Sequence, residues 1–103
     1  MSLTNYQEFT RTTAIYPKEK AIDYLVLGLA SEAGEVAGKR KKEIRDGGID
    51  VVSLIDELGD CMWYITRLAD ELNFSMEEVL QRNWAKLKDR QERNALKGSG
   101  DAR

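Results

Sequence analysis

Four acidic residues form two pairs with the same spacing, and they are the residues of this sequence best suited to chemistry. Glu32 and Glu35 are three positions apart, and so are Glu57 and Asp60. Both pairs lie in segments with helical periodicity, where residues three apart share one face of the helix. A Gly47-Gly48 turn separates the two segments, so we expect the two helices to pack as antiparallel neighbours. The four carboxylates would then converge on one point.

A divalent cation is the ligand that such a cluster favours. Glu32 continues the apolar stripe of Ile22, Leu25 and Leu29, where a carboxylate without a neutralising partner is costly. Neighbouring carboxylates also repel one another and raise their pKa values. Oxygen ligands without histidine or thiolate favour Mg²⁺, with Mn²⁺ as a substitute, over zinc or copper. Paired acids also occur on ordinary solvated helix faces, and spacing alone leaves that alternative open.

Glycines lie between the two members of each acidic pair. They are Gly34 and Gly59, and each interrupts a segment that otherwise reads as helix. Glycine in a helix interior costs ~1 kcal/mol relative to alanine. Two glycines at matching places therefore predict close approach of the two helices.

The elements that must position these acids are predicted to be helices. Hydrophobic periodicity predicts a first helix from Thr4 that ends before Tyr16-Pro17, a second over about 18–45 and a third over about 50–73. Ser75, with Glu78 three residues later, is predicted to cap a fourth helix. The third helix is apolar over a wide arc, which predicts a central and largely buried position. This pattern indicates an all-α, four-helix bundle-like fold.

Length and composition limit the possible functions. The chain has 103 residues, a net charge of −2, no histidine and a single cysteine, Cys61. We expect one domain over residues 1–97 and a Gly-rich C-terminal tail over 98–103. A core this small predicts a homodimer or homotetramer. The acidic balance argues against nucleic acid binding, and no apolar run approaches the ~20 residues that span a membrane. The N-terminus carries no signal-peptide pattern, which predicts a cytoplasmic protein.

The two acidic pairs and their flanks resemble a known family. Residues 28–36 and 56–60 are similar to the E-x-x-E…E-x-x-D signature of MazG-like nucleotide pyrophosphohydrolases, an all-α superfamily. Residues 13–17, 86–90 and 98–101 also resemble MazG-like sequences. The resemblance implies that the acids bind Mg²⁺ and that the metal holds a triphosphate; the corresponding residues here are Glu32, Glu35, Glu57 and Asp60. Many members have a further acid, assigned as the water-activating base, where this chain has Ser31, so the base is not identified.

Phosphates need positively charged partners, and the fourth helix supplies candidates. Asn83, Lys86 and Arg90 follow one another at spacings of three and four, and Asn83 and Lys86 resemble the N-x-x-K phosphate-side residues of the family. A solvated helix face is the alternative interpretation of this stripe. Lys42 is a further candidate phosphate contact. Tyr16, near the proline loop, is a candidate for stacking on the base.

The resemblance implies hydrolysis of nucleoside triphosphates to nucleoside monophosphate and pyrophosphate, in control of the nucleotide pool. Metal-bound water would attack the α-phosphorus, and Lys86 would stabilise charge on the departing pyrophosphate. A dUTP-specific or phosphoribosyl-ATP-specific enzyme on the same scaffold is an alternative. So is a non-catalytic helical oligomer that binds a protein partner.

Overall fold

The computed structural model describes residues 1–94, 96–98 and 100–101, and within them the protein is all-α with no strand. The predicted all-α fold is thus confirmed. A 3-10 turn at Lys18–Lys20 precedes the second helix, and the four helices are α1 (Leu3–Thr12), α2 (Ala21–Asp46), α3 (Val51–Glu71) and α4 (Met76–Glu92).

Local signals explain most of the helix ends. Asp50 caps α3 by accepting a hydrogen bond from Ser53 N, and the predicted capping box of Ser75 and Glu78 is present at the start of α4. Asn73 follows α3 with φ 64°, the left-handed conformation that ends a helix. The start of α1 differs from the prediction, because Ser2 caps the helix through Asn5 N, which places the N-cap two residues before Thr4.

Helices α2 and α3 form an antiparallel hairpin. Gly47 and Gly48 connect them with φ values of 91° and 84°, a conformation that favours glycine. The contacts between the helices run in opposite directions along the chain, from the pair Lys39 and Ser53 near the turn to the pair Gly28 and Tyr64 further away. Among the helices and the 3-10 turn of the described residues, α2 contacts α3 and the 3-10 turn, whereas α3 also contacts α1 and α4.

The core lies at one end of this hairpin. Leu25, which is fully buried, packs with Tyr16 and Ala21, and Trp63, Tyr64 and Leu68 of α3 cover this cluster. The prediction that α3 is largely buried along its length is wrong for its N-terminal half. Val52 is 71% exposed there, because none of the described residues covers this side of the helix; the exposed apolar residues are Val51, Val52, Ile55 and Leu58.

The protomer is less compact than its length predicts. Its radius of gyration is 16.4 Å, whereas a compact chain of 100 residues has a radius of about 13 Å. The length of the α2–α3 hairpin agrees with this difference, since the 26 residues of α2 alone extend about 39 Å at 1.5 Å per residue. No helix within the described residues is both long and apolar enough to cross a membrane. Ser99, Ala102 and Arg103 of the predicted tail lie outside the described residues.

Candidate metal centre

Three of the four predicted acids meet between α2 and α3. One carboxylate oxygen each of Glu32, Glu57 and Asp60 lies within 4.8 Å of the other two. Glu32 comes from α2 and the other two from α3, and the antiparallel packing of the hairpin brings them together. Glu32 and Glu57 are half-buried and Asp60 is exposed, so the group is open to solvent on one side.

Glu35 lies next to this group and outside it. Its side chain is exposed and lines a groove of about 350 Å³ along α2, together with Ser31, Gly34, Gly38, Lys39 and Lys42. Its negative charge contributes to raising the pKa of Glu32, so it lies within electrostatic range of the three acids. Metal binding by Glu35 stays a prediction.

The electrostatics of the acidic group favour a cation. Burial, followed by the charges of Asp60 and Glu57, raises the pKa of Glu32 above its ordinary value. Burial and the same three acids raise the pKa of the neighbouring Cys61 thiol. Glu57 Oε2 is buried and has no hydrogen-bond partner among the described residues. Clustered oxygen ligands with an unpaired buried oxygen fit a hard divalent cation, which would remove the repulsion.

Lys39 is a site residue that the sequence analysis missed. Its Nζ lies 3.5 Å from Glu57 Oε1 and donates a hydrogen bond to Ser53 Oγ. The spacing contained a signal, because Lys39 follows Glu35 by four residues and therefore shares its helix face. Lys42, a predicted phosphate contact, is exposed in the same groove one turn further along α2.

The predicted phosphate residues of α4 lie in a different region of the protomer. Lys86 Nζ is 3.1 Å from Asp101 Oδ1, and the buried Arg90 donates hydrogen bonds to Gly100 O and Asp101 O. Asn83 is exposed and lines a cavity of about 720 Å³ between α4 and the end of α3. Within the part of the chain that the structure describes, no hydrogen bond or ion pair joins these three side chains to the acidic group.

Tyr16 is a core residue in this structure, contrary to its predicted contact with the base. Its ring stacks on Tyr24 at 5.5 Å between centroids and meets the edge of Trp63 at 6.3 Å. Its hydroxyl donates to Glu71 Oε1 and accepts from Arg67 Nε. Because its faces and its hydroxyl are engaged and the residue is buried, the structure does not support stacking on a nucleotide.

The predicted close approach at Gly34 and Gly59 is also wrong. A Cβ built on either residue meets nothing within 4 Å, whereas one built on Gly28 would overlap the ring of Tyr64. Gly28 is therefore the glycine that lets α2 and α3 approach each other. It lies one turn before Glu32, so the tight contact fixes the spacing of the helices beside the acidic group.

Comparison with known proteins identifies the family of the chain. A profile of the MazG nucleotide pyrophosphohydrolase domain matches residues 20–94, a range that includes all four predicted acids. The chain belongs to the MazG nucleotide pyrophosphohydrolase family. A similar protein, the Gene 37 protein of Mycobacterium phage L5, is 41% identical over an alignment of 114 residues that covers 100% of both chains. No solved structure matches the chain. Membership in this family indicates a pyrophosphohydrolase-type hydrolase, and metal dependence is typical of it.

Proposed function

We propose that this MazG protein hydrolyses nucleoside triphosphates to nucleoside monophosphates and pyrophosphate with Mg²⁺, and thereby controls the nucleotide pool. The observation that carries the proposal is the meeting of Glu32, Glu57 and Asp60 oxygens within 4.8 Å of one another, in a chain of this family. Oxygen ligands alone select a hard cation, and Mg²⁺ commonly joins protein carboxylates to substrate phosphates.

In this mechanism the acids bind the metal. Glu32, Glu57 and Asp60 hold the metal, and Glu35 is the fourth carboxylate, on the side where the groove of α2 begins. When bound, Mg²⁺ neutralises phosphate charge and makes the phosphorus and the attacking water more reactive. Ser31 lies beside Glu35 in the groove, and a serine hydroxyl does not accept a proton at neutral pH. Ser31 therefore does not take over the role of the acid that many members have at this position.

Lys86 and Arg90 lie away from the acidic group of their own protomer, so in this proposal they contact the departing pyrophosphate from a second copy of the chain. Both already hold an anion, since the Asp101 carboxylate lies 3.1 Å from Lys86 and 3.3 Å from Arg90. A phosphate group that replaced this carboxylate would meet the same two cations, with the Asn83 amide on the same helix as a neutral donor.

A second copy of the chain completes the assembly, as a homodimer or homotetramer. The exposed apolar stripe of α3 supports this proposal, because Val51, Ile55 and Leu58 continue one helix face that the protomer leaves in water. The enlarged radius of gyration supports it too. Sedimentation of the full chain tests the assembly: we expect a dimer or larger species, and a stable monomer at all concentrations would contradict it.

Pyrophosphate release across ribo- and deoxyribonucleoside triphosphates, with and without Mg²⁺, tests the reaction. We expect Mg²⁺-dependent release that Asp60→Asn reduces by more than about 100-fold, since residues that merely support metal ligands contribute about 10- to 100-fold. Asp56→Asn is the matched control, because Asp56 is an exposed acid of α3 outside the acidic group. No release from any nucleotide, or equal release by both variants, would refute the proposal. The same panel separates a broad enzyme from one specific for dUTP.

A further inference from the structure

Lys39 combines two features that distinguish it from the other lysines of α2. Its ammonium lies 3.5 Å from Oε1 of Glu57, a member of the acidic group, and Ser53 on the facing helix also holds it. Its side chain nonetheless keeps 37% of its exposure, whereas that of Glu57 keeps 16%. The amine is thus bound at the edge of the acidic group and still open to solvent.

The open side of Lys39 faces the groove of α2. Gly34 and Gly38 lie one turn apart along this groove, and a Cβ built on either residue meets nothing within 4 Å, so bare backbone and open space form its floor. Glu35 lies at the same groove and within electrostatic range of Glu32. Lys42, one turn beyond Lys39, adds a second ammonium. The groove therefore extends from the acidic group past two positive charges.

We propose that Lys39 contacts the terminal phosphates of the triphosphate, which lie in the groove between the acidic group and Lys42; this proposal rests on the proposed function. Lys39 pairs with Glu57 in the free protein. Once Glu57 shares its charge with a divalent cation, its attraction for the ammonium weakens, and the phosphates on the same cation become the stronger partner. Lys39 then turns from the carboxylate to the phosphates through the rotation of its flexible stem.

A purely structural role of Lys39 predicts a different result. If the lysine only held Glu57 in place, its removal would weaken binding of Mg²⁺ alone. If Lys39 contacts the phosphates, its removal leaves binding of Mg²⁺ alone unchanged or strengthens it, because a positive charge next to a metal ligand has been removed. The two roles thus differ in the sign of the effect on the metal.

Calorimetry on the full chain tests this proposal without turnover. The titrants are Mg²⁺ alone, and then a non-hydrolysable α,β-methylene nucleoside triphosphate and the matching monophosphate in the presence of Mg²⁺. Lys39→Met is compared with Lys41→Met, which removes the same charge from an exposed position on the opposite face of α2. Circular dichroism checks that the variants remain helical. Lys39→Arg is a further control, because it keeps a positively charged side chain at this position.

We expect Lys39→Met to weaken triphosphate binding by about 10- to 100-fold, the loss of one charged hydrogen bond. Monophosphate binding should match that of Lys41→Met, binding of Mg²⁺ alone should be equal to or stronger than that of Lys41→Met, and Lys39→Arg should keep most of the wild-type triphosphate affinity. The phosphate contact is overturned if Lys39→Met and Lys41→Met bind the triphosphate equally well, or if Lys39→Met binds Mg²⁺ alone more weakly. In either case the proposed function still stands if the wild-type protein hydrolyses triphosphates. A wild-type protein that binds no triphosphate with Mg²⁺ overturns both.

Discussion

Helix α3 carries acidic side chains in its N-terminal half and at its C-terminal end, and the surroundings of the two sets are opposite. At the C-terminal end, Asp70 accepts hydrogen bonds from Arg11, Arg67 and Gln7, and Glu71 accepts from Tyr16 and Arg67. The bonds from Arg11, and then those from Arg67 and Gln7, hold the pKa of Asp70 well below its ordinary value. Every acid at this end is paired, and the network ties α1 to α3.

The acidic group between α2 and the N-terminal half of α3 has too few positively charged partners. Glu57 has one lysine at 3.5 Å and a buried oxygen without a partner, and the pKa of Glu32 is raised rather than lowered. Buried charge must be compensated. Within the described residues, Arg11 and Arg67 compensate the acids of the C-terminal network, whereas Lys39 is the one ion-pair partner of the group of Glu32, Glu57 and Asp60. We propose that this difference separates acids that stabilise the fold from acids that bind a cation.

The largest expected effect is a loss of folding stability when the C-terminal network is disrupted. Arg67 is buried and bonds to Asp70, Glu71 and Tyr16. We expect Arg67→Met to lower the free energy of unfolding by about 3 kcal/mol, because it leaves the half-buried Glu71 without its counter-charge and Asp70 with Arg11 alone. Denaturant titration of the metal-free protein measures this change.

Arg82→Met is the control for that experiment. Arg82 is exposed on α4, so the same substitution should change the free energy of unfolding by no more than about 0.5 kcal/mol. Similar stability losses in the two variants would show that the C-terminal network has no special structural role.

Local signals made much of the fold predictable. The capping box of Ser75 and Glu78 and the left-handed Asn73 act within a few residues, and both appear as expected. The acidic group was predictable because i, i+3 spacing fixes a shared face and a short turn fixes the antiparallel pairing. Three of its four members meet for that reason.

The parts that escaped prediction depend on contacts between distant residues. The bonds of Arg67 and Asp70 to Tyr16 and Arg11 join residues more than fifty positions apart, and periodicity carries no signal of them. Lys39 reaches Glu57 through a long side chain across two helices. The exposure of Val52 escaped prediction for a similar reason: an apolar stripe predicts burial, but it does not tell whether the protomer or another chain covers the stripe.

The smallest effect concerns pH, and there Glu32 of the acidic group and Asp70 of the C-terminal network should behave oppositely. The pKa of Glu32 is raised above its ordinary value of 4.5, so its charge opposes folding at neutral pH. Glu32→Gln should therefore slightly raise the melting temperature of the metal-free protein at pH 7. This gain should disappear as pH falls through the raised pKa to below the ordinary value, where Glu32 is protonated in both states.

Asp70→Asn should show the reverse. The pKa of Asp70 is lowered from 3.8, so its charge stabilises the folded protein at all pH values above 3.8, and this contribution is lost only as pH falls through the lowered pKa. Melting curves between pH 7 and pH 4 should show a deficit for Asp70→Asn that persists while the gain of Glu32→Gln fades. Shifts of the same sign in both variants would contradict the comparison, because the charges of Glu32 and Asp70 would then affect the stability of the folded protein in the same direction.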